Sequence, residues 1–125
     1  MRFWLFIAAA NGFLAVALGA FAAHGLSGKV PDTDLAIFET GARYHMYHAL
    51  ALVIVAWLTS QTSSGLAQSA GWAFLLGIVL FSGSLYFLGI TGSRALVLAT
   101  PLGGVAFLAG WALIALSALR LPPSP

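Results

Sequence analysis

Four long apolar runs dominate the chain, and short polar segments separate them. They cover approximately residues 3–23, 40–59, 69–90 and 95–119. Each is long enough to cross a membrane, because a transmembrane α-helix needs about 20 mainly apolar residues. The pattern predicts an all-α fold, an antiparallel four-helix transmembrane bundle with short loops, in a single integral membrane domain over residues 1–125.

The first run also has features of a secretory signal peptide. Arg2 precedes it, and Ala20-Phe21-Ala22 is typical of a cleavage site. However, the run exceeds the apolar core of about 7–15 residues in such signals, and small residues recur along it at helical spacing. We therefore expect it to be retained as a span.

A polar lead-in, about residues 33–44, precedes the second run. Asp32, Thr33 and Asp34 are candidates for the N-cap and first turn of a helix. Because a helix from Asp34 to Thr59 is longer than a span requires, we expect the lead-in to lie at the membrane interface. Later in the chain, residues 91–94 predict a tight turn, and the tail LPPSP at residues 121–125 cannot be helical.

The composition supports an integral membrane protein that contacts the lipid bilayer. Of the 125 residues, 61% are hydrophobic and only 6% are charged, against about a quarter charged in soluble domains. Five basic residues are too few for a nucleic-acid surface, so we expect no nucleic-acid partner. Cysteine is absent, which excludes disulfides and thiolate catalysis. Arg2 and the terminal amine favour termini on the cytoplasmic side.

Polar side chains concentrate around the start of the second run. With four antiparallel spans, this segment, the end of the first span and the 91–94 turn lie on one side of the membrane. We therefore predict a polar cluster at one end of the bundle, a candidate binding or partner surface. Its members are His24, Glu39, Arg43, Tyr44, His45, Tyr47, His48 and Arg94.

Three interpretations of this cluster remain open. Its residues can be interfacial anchors, together with the tryptophans near span ends. They can form a functional site, because ionisable groups inside a bundle are costly. Three histidines can also hold a metal or haem. The sequence contains no persuasive catalytic set, so we expect no catalytic residue, no enzyme activity, no metal site and no cofactor. The tryptophans are Trp4, Trp57, Trp72 and Trp111.

Glycines recur within the apolar runs and predict close helix packing. On this basis, Gly104→Leu and Gly19→Leu should loosen the bundle. The glycines expected at helix contacts are Gly12, Gly19, Gly83, Gly103, Gly104 and Gly110.

Four motifs resemble a known family. They are GAFAAHGL at residues 19–26, FETGARYHMYHALAL at 38–52, LFSGSLYFLGITG at 80–92 and TPLGGVAFLAGW at 100–111. In this order they resemble the family catalogued as domain of unknown function four-two-three, small bacterial membrane proteins. The resemblance implies a four-span inner-membrane protein and carries over no reaction, substrate or catalytic residue.

For function, we predict a non-catalytic accessory or interaction subunit that presents the polar cluster to a membrane-protein partner, a second copy or lipid headgroups. The alternative is a small-solute transporter or channel with the cluster as its vestibule and His45 and His48 as gate or relay groups. The predicted location is the bacterial cytoplasmic (inner) membrane, which the chain crosses several times.

Overall fold

The computed structural model describes residues 1–124, and every regular element in them is helical. Helix α1 continues directly into one π-helical turn, and a second π-helical turn joins α3 to α4, so the chain forms four rods. The elements are α1 (Arg2–Phe21), a π turn (Ala22–Leu26), α2 (Asp32–Gln61), α3 (Leu66–Gly77), a π turn (Ile78–Ser82), α4 (Gly83–Thr91) and α5 (Ala99–Ala118).

The four rods run antiparallel, with α2 in the middle. Helix α2 packs against α1 on one side and against the α3–α4 rod on the other, while α5 packs mainly on α3 and the second π turn. Phe38 of α2 contacts Gly89 of α4, and Phe74 of α3 contacts Gly110 of α5. The all-α antiparallel four-helix bundle expected from the apolar runs is therefore confirmed.

Three of the rods are long and apolar enough to cross a membrane: Arg2–Leu26, Leu66–Thr91 and Ala99–Ala118. Helix α2 is outside this group because it carries acidic, basic and histidine side chains. It nevertheless lies antiparallel among the other three over most of its 30 residues. The neighbouring helices accommodate its two histidines, His45 and His48, through hydrogen bonds.

The start of the fourth rod differs from the sequence prediction, whereas the end of the chain agrees with it. Helix α5 begins at Ala99 rather than residue 95, because residues 95–98 form successive turns in which Val97 N–H donates to Arg94 O and Ala99 N–H donates to Leu96 O. The tail is non-helical through Ser124, and Pro125 lies outside the described residues.

The lead-in at residues 33–44 is continuous with the rest of α2, and its buried face packs within the bundle. Phe38 is 0% exposed and packs with Ala22 and Leu26 from the end of the α1 rod. The helix remains in the bundle because α1 and α4 are also long enough to reach this level. Three rods of similar height thus meet at this end of the bundle.

The main apolar core lies toward the end of the bundle that contains both termini. Trp4 is 1% exposed, and Leu52, Val55 and Phe74 are fully buried around it. The indole N–H of Trp4 donates to Gln68 Oε1 at 2.7 Å, which joins α1 to α3. Trp4 is therefore a core residue with a satisfied polar atom, and not an interfacial anchor.

Only some of the predicted glycines lie at close helix contacts, and other glycines lie there too. A Cβ at Gly103 would lie 2.7 Å from Phe81 Cβ and closer still to Phe81 N, and one at Gly110 would lie 2.5 Å from Phe74 Cε1. Real Cβ contacts are essentially never that short. These two predicted glycines do permit close approach. The same holds for three glycines that were not predicted: Gly71 against Trp4, Gly77 against Phe107 and Gly89 against Phe38.

The packing roles predicted for Gly12, Gly19 and Gly104 are wrong. A Cβ at any of these positions would meet no atom within 4 Å, and one at Gly83 would meet only the Ile78 carbonyl at 4.0 Å. The space beside these glycines is open, so close contact with a neighbouring rod does not require them. Sequence spacing identifies a small-residue stripe but does not say which stripe faces a neighbour.

Alanine substitutions should separate the two groups of glycines. We expect Gly103→Ala to lower stability by about 1–3 kcal/mol, because the new methyl group overlaps Phe81. Gly104→Ala should leave stability unchanged or raise it by up to about 1 kcal/mol, because alanine favours the helix and the space is open. Thermal unfolding of the purified protein in detergent measures both. Equal losses for the two variants would contradict this packing.

A second measurement concerns two buried hydroxyls. Ser82 and Ser117 are fully buried, and neither Oγ has a hydrogen-bond partner in residues 1–124. Removing an unpaired polar atom and keeping the rest of the side chain's shape is nearly neutral or stabilising. We expect Ser82→Ala to retain or raise the thermal midpoint. Ser84→Ala is the control and should lower it, because Ser84 makes hydrogen bonds.

Candidate functional site

A chain of hydrogen bonds joins three helices inside the bundle. His45 on α2 is 4% exposed. Its Nδ1 lies 2.9 Å from the Tyr86 hydroxyl of α4, and its Nε2 lies 2.9 Å from Asn11 Oδ1 of α1. Asn11 Nδ2–H in turn donates to Ile7 O at 2.9 Å. Both nitrogens of this imidazole are therefore used to connect helices.

The donor and the acceptor of each hydrogen bond in this chain can be assigned by starting from the Ile7 carbonyl at its end. A backbone carbonyl only accepts, so Asn11 presents its amide nitrogen to Ile7 and its oxygen to His45. His45 Nε2–H then donates to Asn11, and Nδ1 accepts from the Tyr86 hydroxyl. His45 is thereby held as the neutral Nε2–H tautomer.

His48 lies one turn further along α2 and has the opposite tautomer. It is also 4% exposed. Its Nδ1–H donates to Tyr44 O at 2.7 Å, and its Nε2 accepts from Trp111 Nε1–H at 3.2 Å. Its ring stacks on Phe107 of α5, with centroids 3.5 Å apart and planes 4° from parallel. His48 is the polar link between α2 and α5.

A hydroxyl pair connects the remaining neighbours. Ser84 Oγ–H donates to Phe81 O at 2.8 Å, so its oxygen accepts from Thr100 Oγ1–H at 2.6 Å. This pair joins α4 to the first turn of α5. Each rod is thus tied to a neighbour by at least one side-chain hydrogen bond.

The structure divides the predicted polar cluster into three parts. At the rim, exposed side chains lie along the end of the α1 rod, the first turns of α2 and the end of α4. Within residues 1–124 these side chains form no ion pair. Two tyrosines line an open groove, and the two α2 histidines are buried in the bundle. The rim residues are His24, Glu39, Arg43 and Arg94; the groove tyrosines are Tyr44 and Tyr47; the buried pair is His45 and His48.

The groove is a depression of about 400 Å³ between α2 and α5. Aromatic rings form most of its walls, and Gly104 provides an open floor. Phe81 enters it from the second π turn, a type of local irregularity that often occurs at functional sites. It is lined by Tyr44, Tyr47, His48, Phe81, Gly104, Phe107, Leu108 and Trp111.

The three-histidine arrangement is not formed. His24 is exposed at the rim, whereas all four ring nitrogens of His45 and His48 are engaged in hydrogen bonds. Among residues 1–124, no group of three or more potential ligands could hold a metal ion. The histidines are more simply explained as links between helices.

Several residues of these networks were missed or misassigned from the sequence. Asn11 was visible only as a polar interruption of the first run, and Tyr86 only as part of a motif. Trp111 was interpreted as an interfacial anchor, but it lies in the middle of α5 and donates to His48. The signal available in each case was a single polar atom within an apolar run, because such an atom needs a partner on another helix.

A double-mutant cycle tests the His45 chain. His45→Phe should destabilise the protein, because it leaves the Tyr86 hydroxyl and the Asn11 oxygen without their partner. Tyr86→Phe should also destabilise it, and the double variant should be more stable than the sum of the two losses predicts. The expected coupling is about 0.5–3 kcal/mol, measured by unfolding in detergent. Additive losses would show that the two side chains do not interact.

Comparisons with known proteins agree with this membrane architecture. The family model described as "Protein of unknown function (DUF423)" matches residues 18–104. The UPF0382 membrane protein YwdK of Bacillus subtilis is 50% identical over 121 residues, 96% of this chain and 98% of the relative. The UPF0382 inner membrane protein YgdD of Escherichia coli is 43% identical over 120 residues, 96% of this chain and 92% of the relative.

A third relative, the UPF0382 membrane protein SERP0230 of Staphylococcus epidermidis, is 44% identical over 120 residues, with 96% of this chain and 98% of the relative covered. No solved structure matches the chain. The relatives are inner-membrane or membrane proteins by name, and three helices of this chain are apolar enough to span. The protein is a multi-pass inner-membrane protein and belongs to the DUF423 family.

Proposed function

We propose that this protein is a non-catalytic accessory or interaction subunit of the bacterial inner membrane. The observation that carries the proposal is the division between its polar groups. Inside the bundle, the histidines and hydroxyls that connect helices are paired with one another. At the rim, the charged side chains are exposed and make no ion pair within residues 1–124.

The rim supports a contact with a partner. Glu39, Arg43 and Arg94 present both signs of charge on a surface that no other part of the described chain covers. Exposed charges of this kind favour specificity and orientation in an encounter more than raw affinity. An acidic or mixed-charge segment of another membrane protein, or anionic headgroups, would complement the two arginines.

The interior argues against the transporter alternative. A gate or relay needs groups that can exchange partners, whereas His45 and His48 each use one nitrogen as a donor and the other as an acceptor. A polar path would also need a line of polar side chains across several spans. In residues 1–124 the hydrogen-bonded interior side chains instead form short connections between neighbouring helices.

The same pairing supports a non-catalytic role. Ser84 Oγ–H donates to Phe81 O, and Thr100 Oγ1–H donates to Ser84 Oγ. A nucleophilic hydroxyl requires a neighbouring base to activate it. The His48 nitrogens are occupied by Tyr44 O and the Trp111 indole, so neither is available to a hydroxyl.

Affinity purification of the full-length protein from its native membrane tests the proposal. We expect a membrane-protein partner to co-purify with the unaltered chain, and its yield to fall at least severalfold with Arg43→Ala. Arg120→Ala is the matched control, because Arg120 is also exposed but follows α5 at the opposite end. A protein that is solitary, or a partner lost equally with both variants, would contradict a role for this rim.

A flux assay in liposomes addresses the alternative directly. The proposal predicts no protein-dependent movement of small ions or solutes. Movement that depends on the unaltered protein and is abolished by His48→Ala would replace the accessory function with transport. The thermal midpoint of His48→Ala must be compared with that of the unaltered chain, because the substitution also removes the hydrogen bond from Trp111.

A further inference from the structure

The groove between α2 and α5 lies at the depth of the lipid tails. Helix α5 has 20 residues, or about 30 Å at 1.5 Å per residue, which matches the hydrocarbon thickness of about 30 Å. Gly104 and Trp111 lie about 8 and 18 Å from its start. The volume of about 400 Å³ falls within the range of small-molecule sites. A ligand would therefore enter from the lipid.

Two hydroxyls on the groove wall lack an acceptor. Tyr44 is 37% and Tyr47 is 49% exposed, and neither phenol hydroxyl makes a hydrogen bond within residues 1–124. Every other tyrosine, histidine and asparagine side chain at this level of the bundle is paired. Because lipid tails contain no acceptor atoms, unpaired hydroxyls at this depth favour a bound molecule that supplies them.

The remaining walls favour a flat ring. His48 and Phe107 stack on each other with ring centroids 3.5 Å apart, while Phe81 lies 4.8 Å from Tyr44 and 5.4 Å from Phe107 between ring centroids, so these four aromatic rings line the groove. Aromatic faces and edges arranged in this way pack well against another planar ring. No residue lining the groove is acidic or carries a fixed positive charge, so a neutral ligand fits it best.

Gly104 provides independent support for a ligand site in the groove. A Cβ at this position would meet nothing within 4 Å, so contacts within the chain do not require glycine here. A larger side chain would instead fill the groove. Gly103 differs, because Phe81 leaves no space for its Cβ. The small residue at position 104 therefore preserves the groove and not the helix packing.

We propose that this groove binds the head group of a lipid-soluble quinone. A quinone is neutral and planar, carries carbonyl oxygens that accept from the Tyr44 and Tyr47 hydroxyls, and enters from the bilayer on an apolar tail. The ring would lie among these aromatic walls, next to Gly104. The proposal concerns binding and includes no electron transfer, and it does not depend on the accessory function inferred for the rim.

Titration of the full-length protein in detergent with decylubiquinone tests this site. We expect saturable quenching of tryptophan fluorescence, because Trp111 lines the groove. Gly104→Leu should abolish saturable binding. Gly12→Leu is the matched control and should leave it unchanged, because a Cβ at Gly12 also meets nothing but lies on α1, away from the groove. Tyr44→Phe and Tyr47→Phe should each weaken binding about three- to tenfold.

The other outcomes overturn the proposal. Equal binding of decylbenzene, which has the same tail and no carbonyl group, would show a non-specific apolar slot. Equal loss with Gly12→Leu would show that the groove is not the site. A change in particle mass with Gly104→Leu, without a change in quinone binding, would assign the groove to a second copy of the chain. If Gly104→Leu does not fold, the Tyr44→Phe and Tyr47→Phe variants test the site instead. Unaltered affinity for decylubiquinone in both variants would reject the site.

Discussion

The need to pair the imidazoles and other strongly polar side chains that leave water determines how the four rods meet. Helix α2 brings two imidazoles into an apolar bundle, where an unpaired polar atom would cost about 1–3 kcal/mol. His45 is satisfied only because Asn11 and Tyr86 reach it from opposite sides. The same two contacts hold α1, α2 and α4 in one register, so the positions of three helices follow from one ring.

Close approach of the helix backbones is the second feature that holds the bundle together. Apolar burial gives little drive for helix association in lipid, so contact between surfaces matters more. Gly77 and Gly110 receive the rings of Phe107 and Phe74, which places large aromatic groups where two helices are nearest. Polar pairs and glycine contacts alternate along the bundle. The polar pairs specify which helix faces which, and the glycine contacts provide the packing.

The sequence predicts the architecture more completely than the site. Length and hydropathy of the apolar runs predict four antiparallel helices, and the four motifs identify the family, because both kinds of signal extend over many residues. The roles of His45 and Gly104 depend on which side of the helix each residue occupies. Assigning a residue to the wrong side exchanges a buried contact for an open surface. Nothing near Gly104 in the sequence distinguishes it from Gly103, yet one is covered by Phe81 and the other is open. The sequence also misjudged how deeply His45 and His48 lie in the bundle, because topology alone placed them at the rim.

The order of the rods across the bundle has a consequence for biogenesis. Helix α1 packs mainly on α2, α2 on α4 and α3, and α5 on α3, while in residues 1–124 α1 and α5 share at most marginal contact. Neighbours in space are thus close in the order of synthesis. Contacts of this kind form quickly because little chain must be ordered first. Each new segment released by the insertion machinery meets its docking face already present in the bilayer, and the nascent chain does not have to wait for its last helix.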